Sequence, residues 1–182
     1  MQSRPIRQTG LMLMTLVLLA IRQAPAMSLL PVNLQQMTRD SGVIVHGRVI
    51  NVRTLRHESL GILVTEVTLQ SEEMIKGNES SEVRFRQVNG LGLPEYVPGE
   101  EIVVFLYRNS KANVTSPVGG PQGLFRVTQT PEGKAVRNAF PHVFAQVEGF
   151  ASSDSRREAS LRLDTLKGQI RQNLKMPDKG VK

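Results

Sequence analysis

Apolar and polar residues alternate along most of the chain in the way that β-strands require. The segment 102–106 (IVVFL) is apolar throughout, which predicts a central strand that is covered on both faces. In segment 61–75, Leu63, Val67 and Leu69 share one face, and the polar residues Glu66, Thr68 and Gln70 share the other, which predicts a half-buried antiparallel strand. The complete set of predicted strands is 42–53, 61–75, 82–88, 102–106, 124–130 and 134–138.

The first predicted strand changes phase at its centre. Strict alternation places Val43, Val45, Gly47 and Val49 on one face, whereas the next apolar residues are Ile50 and Val52. A phase change next to a glycine is typical of a β-bulge. We therefore predict a bulge or a sharp coil that Gly47 permits.

Two helices are predicted to flank the strands. Residues 29–40 form a short helical pattern that ends at Ser41-Gly42. Near the C-terminus an amphipathic helix is predicted, with apolar residues at Leu163, Leu166, Ile170 and Leu174. Its basic face allows weak contact with a membrane surface or a partner, although such helices more often pack on their own domain.

The first 26 residues have the pattern of a secretory signal peptide. Arg4 and Arg7 precede an apolar run, 11–21, which Ala24-Pro25-Ala26 follows. A membrane-spanning helix needs about 18 or more apolar residues, so this run favours a cleaved signal over an anchor. We predict cleavage near Ala26 and an exported protein, periplasmic or extracellular, whose mature chain begins at Met27.

Charge and cysteine content exclude several classes of protein. The chain has no cysteine, which excludes disulfides, cysteine-based zinc sites and thiol catalysis. The net charge of +7 comes from the two ends of the chain, and the segment 27–150 is neutral. A nucleic-acid-binding domain carries a clustered positive surface on its folded body, so no nucleic-acid partner is predicted.

Catalytic patterns are absent from the sequence. The three histidines, His46, His57 and His142, do not occur at a ligand spacing on a helix, and no zinc-protease motif is present. The adjacent carboxylates Glu72-Glu73 and Glu100-Glu101 point to opposite faces of a strand, unlike a catalytic pair. We predict a protein that is not an enzyme and has no cofactor and no metal. The alternative is a metal held by His46 and His57 at one sheet edge.

These elements together predict a mainly β fold, a small Greek-key barrel of the oligonucleotide/oligosaccharide-binding (OB) type with an N-terminal and a C-terminal helix. The predicted division is a signal peptide at 1–26, the OB-like barrel domain at 27–150, and a polar linker with a basic amphipathic helix at 151–182.

The order of three motifs carries a family resemblance: VIVHGRVINV at 43–52, a strand that ends in the Lys76-Gly77 turn, and PGEEIVVFLY at 98–107. Across 27–130 the chain resembles the N-terminal domain of tissue inhibitors of metalloproteinases and related netrin-like domains. It resembles more closely a set of uncharacterised exported bacterial proteins, which share a segment like 116–127 (SPVGGPQGLFRV). The inhibitors chelate the protease zinc through an N-terminal cysteine. Met27 stands here instead, so that mechanism does not transfer.

The resemblance implies a binding module that acts through its loops and one edge. Two loops are the candidate contacts for a protein partner, which the resemblance suggests is an exported metalloprotease. Each loop also has a structural alternative. The apolar side chains of the first loop could fold back onto the barrel, and the second loop could be a structural hairpin or crossover. The candidate residues are Leu91, Leu93 and Tyr96 in loop 89–98, and Pro117, Gly119, Gly120 and Gln122 in loop 117–123.

The alternative function is binding of a glycan or another small ligand in the periplasm or at the cell surface. The arginines predicted to share the outer face of the sheet would form that site, namely Arg48, Arg84, Arg86 and Arg126.

Overall fold

One antiparallel sheet of seven strands forms the framework of the protein, in the order β3-β2-β1-β4-β5-β6-β7. The computed structural model describes residues 30–90, 92–140, 143 and 159–176, so the predicted signal peptide, Leu91 and His142 lie outside the described residues. The strands are β1 (Val43–Arg56), β2 (Leu63–Lys76), β3 (Glu82–Val88), β4 (Glu101–Leu106), β5 (Leu124–Thr130), β6 (Gly133–Asn138) and β7 (Ala159–Arg162). The helices are α1 (Leu34–Asp40) and α2 (Leu163–Lys175), and a 3-10 turn spans Gly120–Gly123.

The mainly β class and the two terminal helices are confirmed. Strand β7 was not predicted, because its four residues are too few to show an alternation. It pairs with β6, and α2 follows it directly. Among the described residues no helix has the length and apolar character needed to cross a membrane.

The predicted bulge in β1 is confirmed. The pairing of β1 with β2 shifts register at three places, one of which lies between His46 and Gly47. A Cβ atom on Gly47 would overlap the carbonyl oxygen of Gln70, because the two backbones approach closely there. A further shift between Val49 and Asn51 returns Val52 to the interior, while Ile50 is exposed.

Strand β4 separates two apolar cores, as its uninterrupted apolar sequence predicted. Val103 and Phe105 belong to the helix-side core, which also contains residues of α1 and α2. Ile102, Val104 and Leu106 face the opposite way into the inner core, between β4 and the curled part of β1–β3. Burying apolar side chains on both faces makes this strand the centre of the fold.

Both helices pack against the helix-side core. Helix α1 begins after Asn33, whose side chain accepts a hydrogen bond from the Gln36 amide (2.8 Å). At its other end the Lys76 ammonium donates to the carbonyls of Thr38 (2.7 Å) and Arg39 (3.1 Å). A cation there satisfies the last carbonyls of the helix, which gives the lysine of the Lys76-Gly77 turn a structural role.

Helix α2 buries Leu163, Leu166 and Ile170, while Leu174 is exposed. Its polar face carries Lys167 and Arg171, which form ion pairs with Glu73 of β2.

Within the described chain, strand pairing leaves the sheet open, with β3 and β7 as its two edge strands. The Thr115 amide donates to the carbonyl of Arg86 at the outer edge of β3 (2.8 Å). The loop before β4 is held from both strands: Gln87 of β3 donates to the Pro94 carbonyl (2.9 Å), and Arg126 of β5 donates to the Glu95 carbonyl (3.0 Å). The loop before β4 therefore connects β3 with β5, two strands that do not pair with each other.

Candidate functional site

The structure brings the two candidate loops together. The carbonyl oxygen of Gly92 lies 3.4 Å from the position that a Cβ atom would take on Gly120. Gly92, Gly119 and Gly120 all have positive φ angles, which glycine adopts without strain. We call residues 92–99 together with 117–123 the joined loops.

Gln122 holds the second of these loops in place. Its side-chain oxygen accepts a hydrogen bond from the Val32 amide (3.0 Å), and its side-chain nitrogen donates to the Leu30 carbonyl (2.9 Å). Gln122 and Pro117 are buried, whereas Gly119 and Gly120 are half-buried. Of the four predicted contact residues in this loop, only the two glycines therefore reach the surface.

The first loop presents a different residue from those predicted. Tyr96 is only 7% exposed and packs edge-on against Phe85 in the inner core (ring centroids 5.5 Å apart). Leu93 is half-buried, whereas Val97 is 53% exposed. Sequence reasoning missed Val97, because no alternation in this glycine- and proline-rich loop shows which neighbour turns outwards.

The four predicted arginines do not form one free cationic surface. Each is paired with a different carboxylate: Arg48 with Glu101 (3.2 Å), Arg84 with Glu82 (2.9 Å), Arg86 with Glu66 (2.7 Å) and Arg126 with Glu100 (3.2 Å). Anions would therefore compete with resident carboxylates for every one of them.

Glu66 departs most from its predicted environment. It was expected on a half-exposed polar face of β2, but it is 2% exposed, while Leu63 is exposed. Cross-strand neighbours explain the difference, since Arg53 of β1 and Arg86 of β3 lie opposite Glu66 and each binds one carboxylate oxygen. Burial by itself would raise the pKa of Glu66, but the hydrogen bonds and charges of Arg86 and Arg53 outweigh it and lower the pKa.

This lowered pKa predicts acid sensitivity. A carboxylate whose pKa in the folded state lies below its ordinary value of 4.5 stabilises the fold above that pH, and the contribution is lost as the pH falls further. We expect Glu66→Gln to lower the free energy of unfolding at neutral pH by about 1–2 kcal/mol, a modest loss because both arginines reach solvent. The variant should also show a shallower decline between pH 6 and pH 3 in urea titrations.

Glu82→Gln is the matched control, because among the described residues Glu82 forms its ion pair with Arg84 alone, and both side chains are about half exposed. Equal pH profiles for wild-type protein and Glu66→Gln would show that the buried carboxylate does not stabilise the fold.

A second polar cluster brings together groups that can ligate a metal. The Nε2 atom of His46 lies 2.7 Å from a Glu101 oxygen and 3.5 Å from a Glu72 oxygen. The Lys134 ammonium already binds the same two carboxylates, at 2.7 Å and 3.4 Å. Burial would raise the pKa of Glu101, but Lys134 and His46 lower it. The arrangement is an ion-pair network in which Lys134 and Arg48 are the cations of the two carboxylates.

The structure does not bring His46 and His57 to one metal site. The ring of His57 instead binds the Ala112 carbonyl through Nε2 (2.7 Å), which fixes the end of the β1–β2 hairpin against the loop after β4. The two histidines therefore have separate partners.

A cavity of about 360 Å³ opens beside the first of the joined loops. Val52 and Thr54 of β1, Thr65 of β2 and Gln87 of β3 line it from the sheet, and Tyr96 lines it from the loop. The Gln87 side-chain oxygen and the Tyr96 hydroxyl are both buried, and neither has a hydrogen-bond partner among the described residues. Burial raises the pKa of Tyr96, so its hydroxyl keeps the proton.

Function has to be inferred from the joined loops, the ion pairs and this cavity. No model of a known protein family matches the chain, and no curated protein matches it.

Proposed function

We propose that this chain is an exported, non-enzymatic binding module that contacts another exported protein through the joined loops. The observation that carries the proposal is the meeting of the two loops at Gly92 and Gly120, which makes one surface from segments that are separate in the sequence. Surface loops held by a scaffold commonly carry binding function.

The contacts that hold both loops support this role. Arg126 and Gln87 bind carbonyls of the first loop, and Gln122 anchors the second to the chain before α1. A surface that is ordered before it meets its partner loses less conformational entropy on binding. Val97 is the exposed apolar side chain that this surface offers.

The fold that we propose is an OB-like Greek-key barrel that the loops complete. It is supported by the register shifts in β1, by the inner core between β4 and β1–β3, and by the loop before β4, which contacts both β3 and β5. With this fold, the resemblance to metalloproteinase inhibitors makes an exported metalloprotease the first partner to test. The joined loops would act by occluding its active-site cleft. This reasoning is by analogy of fold.

The test is affinity capture with residues 27–182 against the exported proteins of the source organism, with and without a zinc chelator. We expect Val97→Asp to weaken retention of the partner about tenfold or more, because a carboxylate would be desolvated in the contact. Leu60→Asp is the matched control, since Leu60 is 44% exposed on the β1–β2 hairpin and does not belong to the joined loops.

Retention of one metalloprotease by wild type and by Leu60→Asp, but not by Val97→Asp, would support the proposal, and inhibition of the purified protease would establish the mechanism. No partner for the folded chain, or equal retention by all three proteins, would contradict it.

The second candidate, a glycan or small-ligand binder, gains support from the cavity rather than from the arginines. The arginines have resident carboxylates, whereas the cavity contains buried polar atoms without partners.

A further inference from the structure

We propose that the cavity beside β3 binds a neutral saccharide, with the side-chain oxygen of Gln87 and the hydroxyl of Tyr96 as its buried polar contacts. This inference rests on the second candidate function, whose ligand class it names, and it does not depend on the protein contact.

The two unpartnered groups are the first reason. Buried polar atoms are almost always hydrogen-bonded, and each exception calls for an explanation. Here two exceptions belong to residues that line one cavity, each residue being more than nine-tenths buried. The oxygen of Gln87 accepts a hydrogen bond, and the hydroxyl of Tyr96 both donates and accepts. A ligand that carries hydroxyl or acetamido groups supplies both kinds of partner.

The other residues that line the cavity indicate the charge and the chemical class of this ligand. Thr54, Thr65 and Asn89 add two hydroxyls and a second carboxamide, and the Thr65 hydroxyl donates to the Asn89 side chain (2.6 Å). Among the described residues, no lysine, arginine or histidine lines the cavity. Glu95 also lines it, and its carboxylate would repel an anion. Val52 and Pro94 offer apolar surface for the C–H groups of a sugar ring. Three hydroxyls, two carboxamides, a few apolar contacts and no cation among the described lining residues together fit a neutral sugar.

Size and access are compatible with such a ligand. Small-molecule sites usually measure about 300–1,000 Å³, so a cavity of about 360 Å³ suits one or two sugar rings. Both polar atoms are covered in the ligand-free chain. A ligand therefore has to displace side chains locally to reach them, and the terminal torsion of a glutamine is soft enough to allow this at Gln87.

The test is a titration of the protein, residues 27–182, with sugars, in which amide chemical shifts in NMR spectra report binding. The probes are N-acetylglucosamine, its β-1,4-linked dimer, glucose and the anionic sugar glucuronate. We expect the neutral sugars to shift the amides of Val52, Thr65 and Gln87, and glucuronate to bind more weakly. A dimer that binds more tightly than the monosaccharide would indicate a glycan chain as the source of the ligand, and equal affinities would indicate a free sugar.

Tyr96→Phe isolates the hydroxyl, because it keeps the ring against Phe85. We expect this variant to bind the sugar about tenfold more weakly and to unfold at no lower denaturant concentration, since the hydroxyl has no partner in the free chain. Tyr107→Phe is the matched control. It removes the other tyrosine hydroxyl of the chain, which accepts a hydrogen bond from Gly119 and does not line the cavity.

Binding that is lost in Tyr96→Phe and kept in Tyr107→Phe supports the site. The absence of shifts with every probe, tighter binding of glucuronate, or full binding by Tyr96→Phe would overturn it. Gln87→Met gives a second variant that removes the other contact. Gln87→Met also removes the hydrogen bond to the Pro94 carbonyl that holds the first of the joined loops, whereas Tyr96→Phe keeps that bond and Val97. Loss of sugar binding in Tyr96→Phe is therefore distinguishable from failure of the protein contact.

Discussion

Replacement of Gly47 by alanine is expected to lower the free energy of unfolding by at least about 3 kcal/mol, near the upper end of the cost of overpacking. The added Cβ atom would overlap the carbonyl oxygen of Gln70 and press on the Cα atom of Ser71. Both are backbone atoms of β2, so neither can move aside as the end of a flexible side chain would. Urea denaturation followed by circular dichroism measures the effect.

Gly168→Ala is the control for the same chemical change in open space. Gly168 lies within α2, and nothing stands within 4 Å of the position of its Cβ atom. Alanine favours a helix over glycine by about 1 kcal/mol, so this variant should be more stable than wild type. Similar stability changes at the two glycines would show that β1 and β2 do not approach closely at Gly47.

Replacement of Leu166 by alanine is expected to lower the free energy of unfolding by about 2–5 kcal/mol, the usual cost of a large-to-small change in a core. Leu166 is fully buried between α2 and the sheet, in the same core as Phe105 of β4. The change leaves a cavity under the helix and also weakens its attachment, so thermal unfolding and protease cleavage of α2 should both report it.

Leu174→Ala provides the comparison, because Leu174 is on the same helix but is 38% exposed. Its stability should lie within about 0.5 kcal/mol of wild type, as is usual at the surface. Equal losses at the two leucines would mean that α2 does not pack on the domain in solution.

The sequence predicted features that depend on local pattern. The apolar run of β4 predicted a strand that is covered on both faces, and the phase change at Gly47 predicted the bulge. Each of these signals lies within a few residues, because alternation and glycine act on the backbone where they occur.

Features that depend on distant residues could not be predicted. Gln122 is buried because it binds Val32, 90 residues earlier in the chain. Glu66 is buried because the register of three strands places an arginine on each side of it. The cavity depends on the same kind of information, since its lining comes from three strands and a loop. Pairing between remote segments decides these positions, and no short pattern encodes it.

The outer edge of β3 also affects whether two copies of the chain can pair edge to edge and begin a fibre. An exposed strand edge offers unpaired backbone groups to any second strand, which makes edges sites of fibre formation. Antiparallel pairing of two β3 edges centred on Phe85 would set Arg84 of each copy opposite Arg86 of the other. Like charges placed opposite each other are destabilising, to the extent that Glu82 and Glu66 leave the two guanidinium charges uncompensated. The Thr115 amide already occupies the Arg86 carbonyl on this edge. The same edge that leaves the sheet open therefore resists its own extension into a fibre.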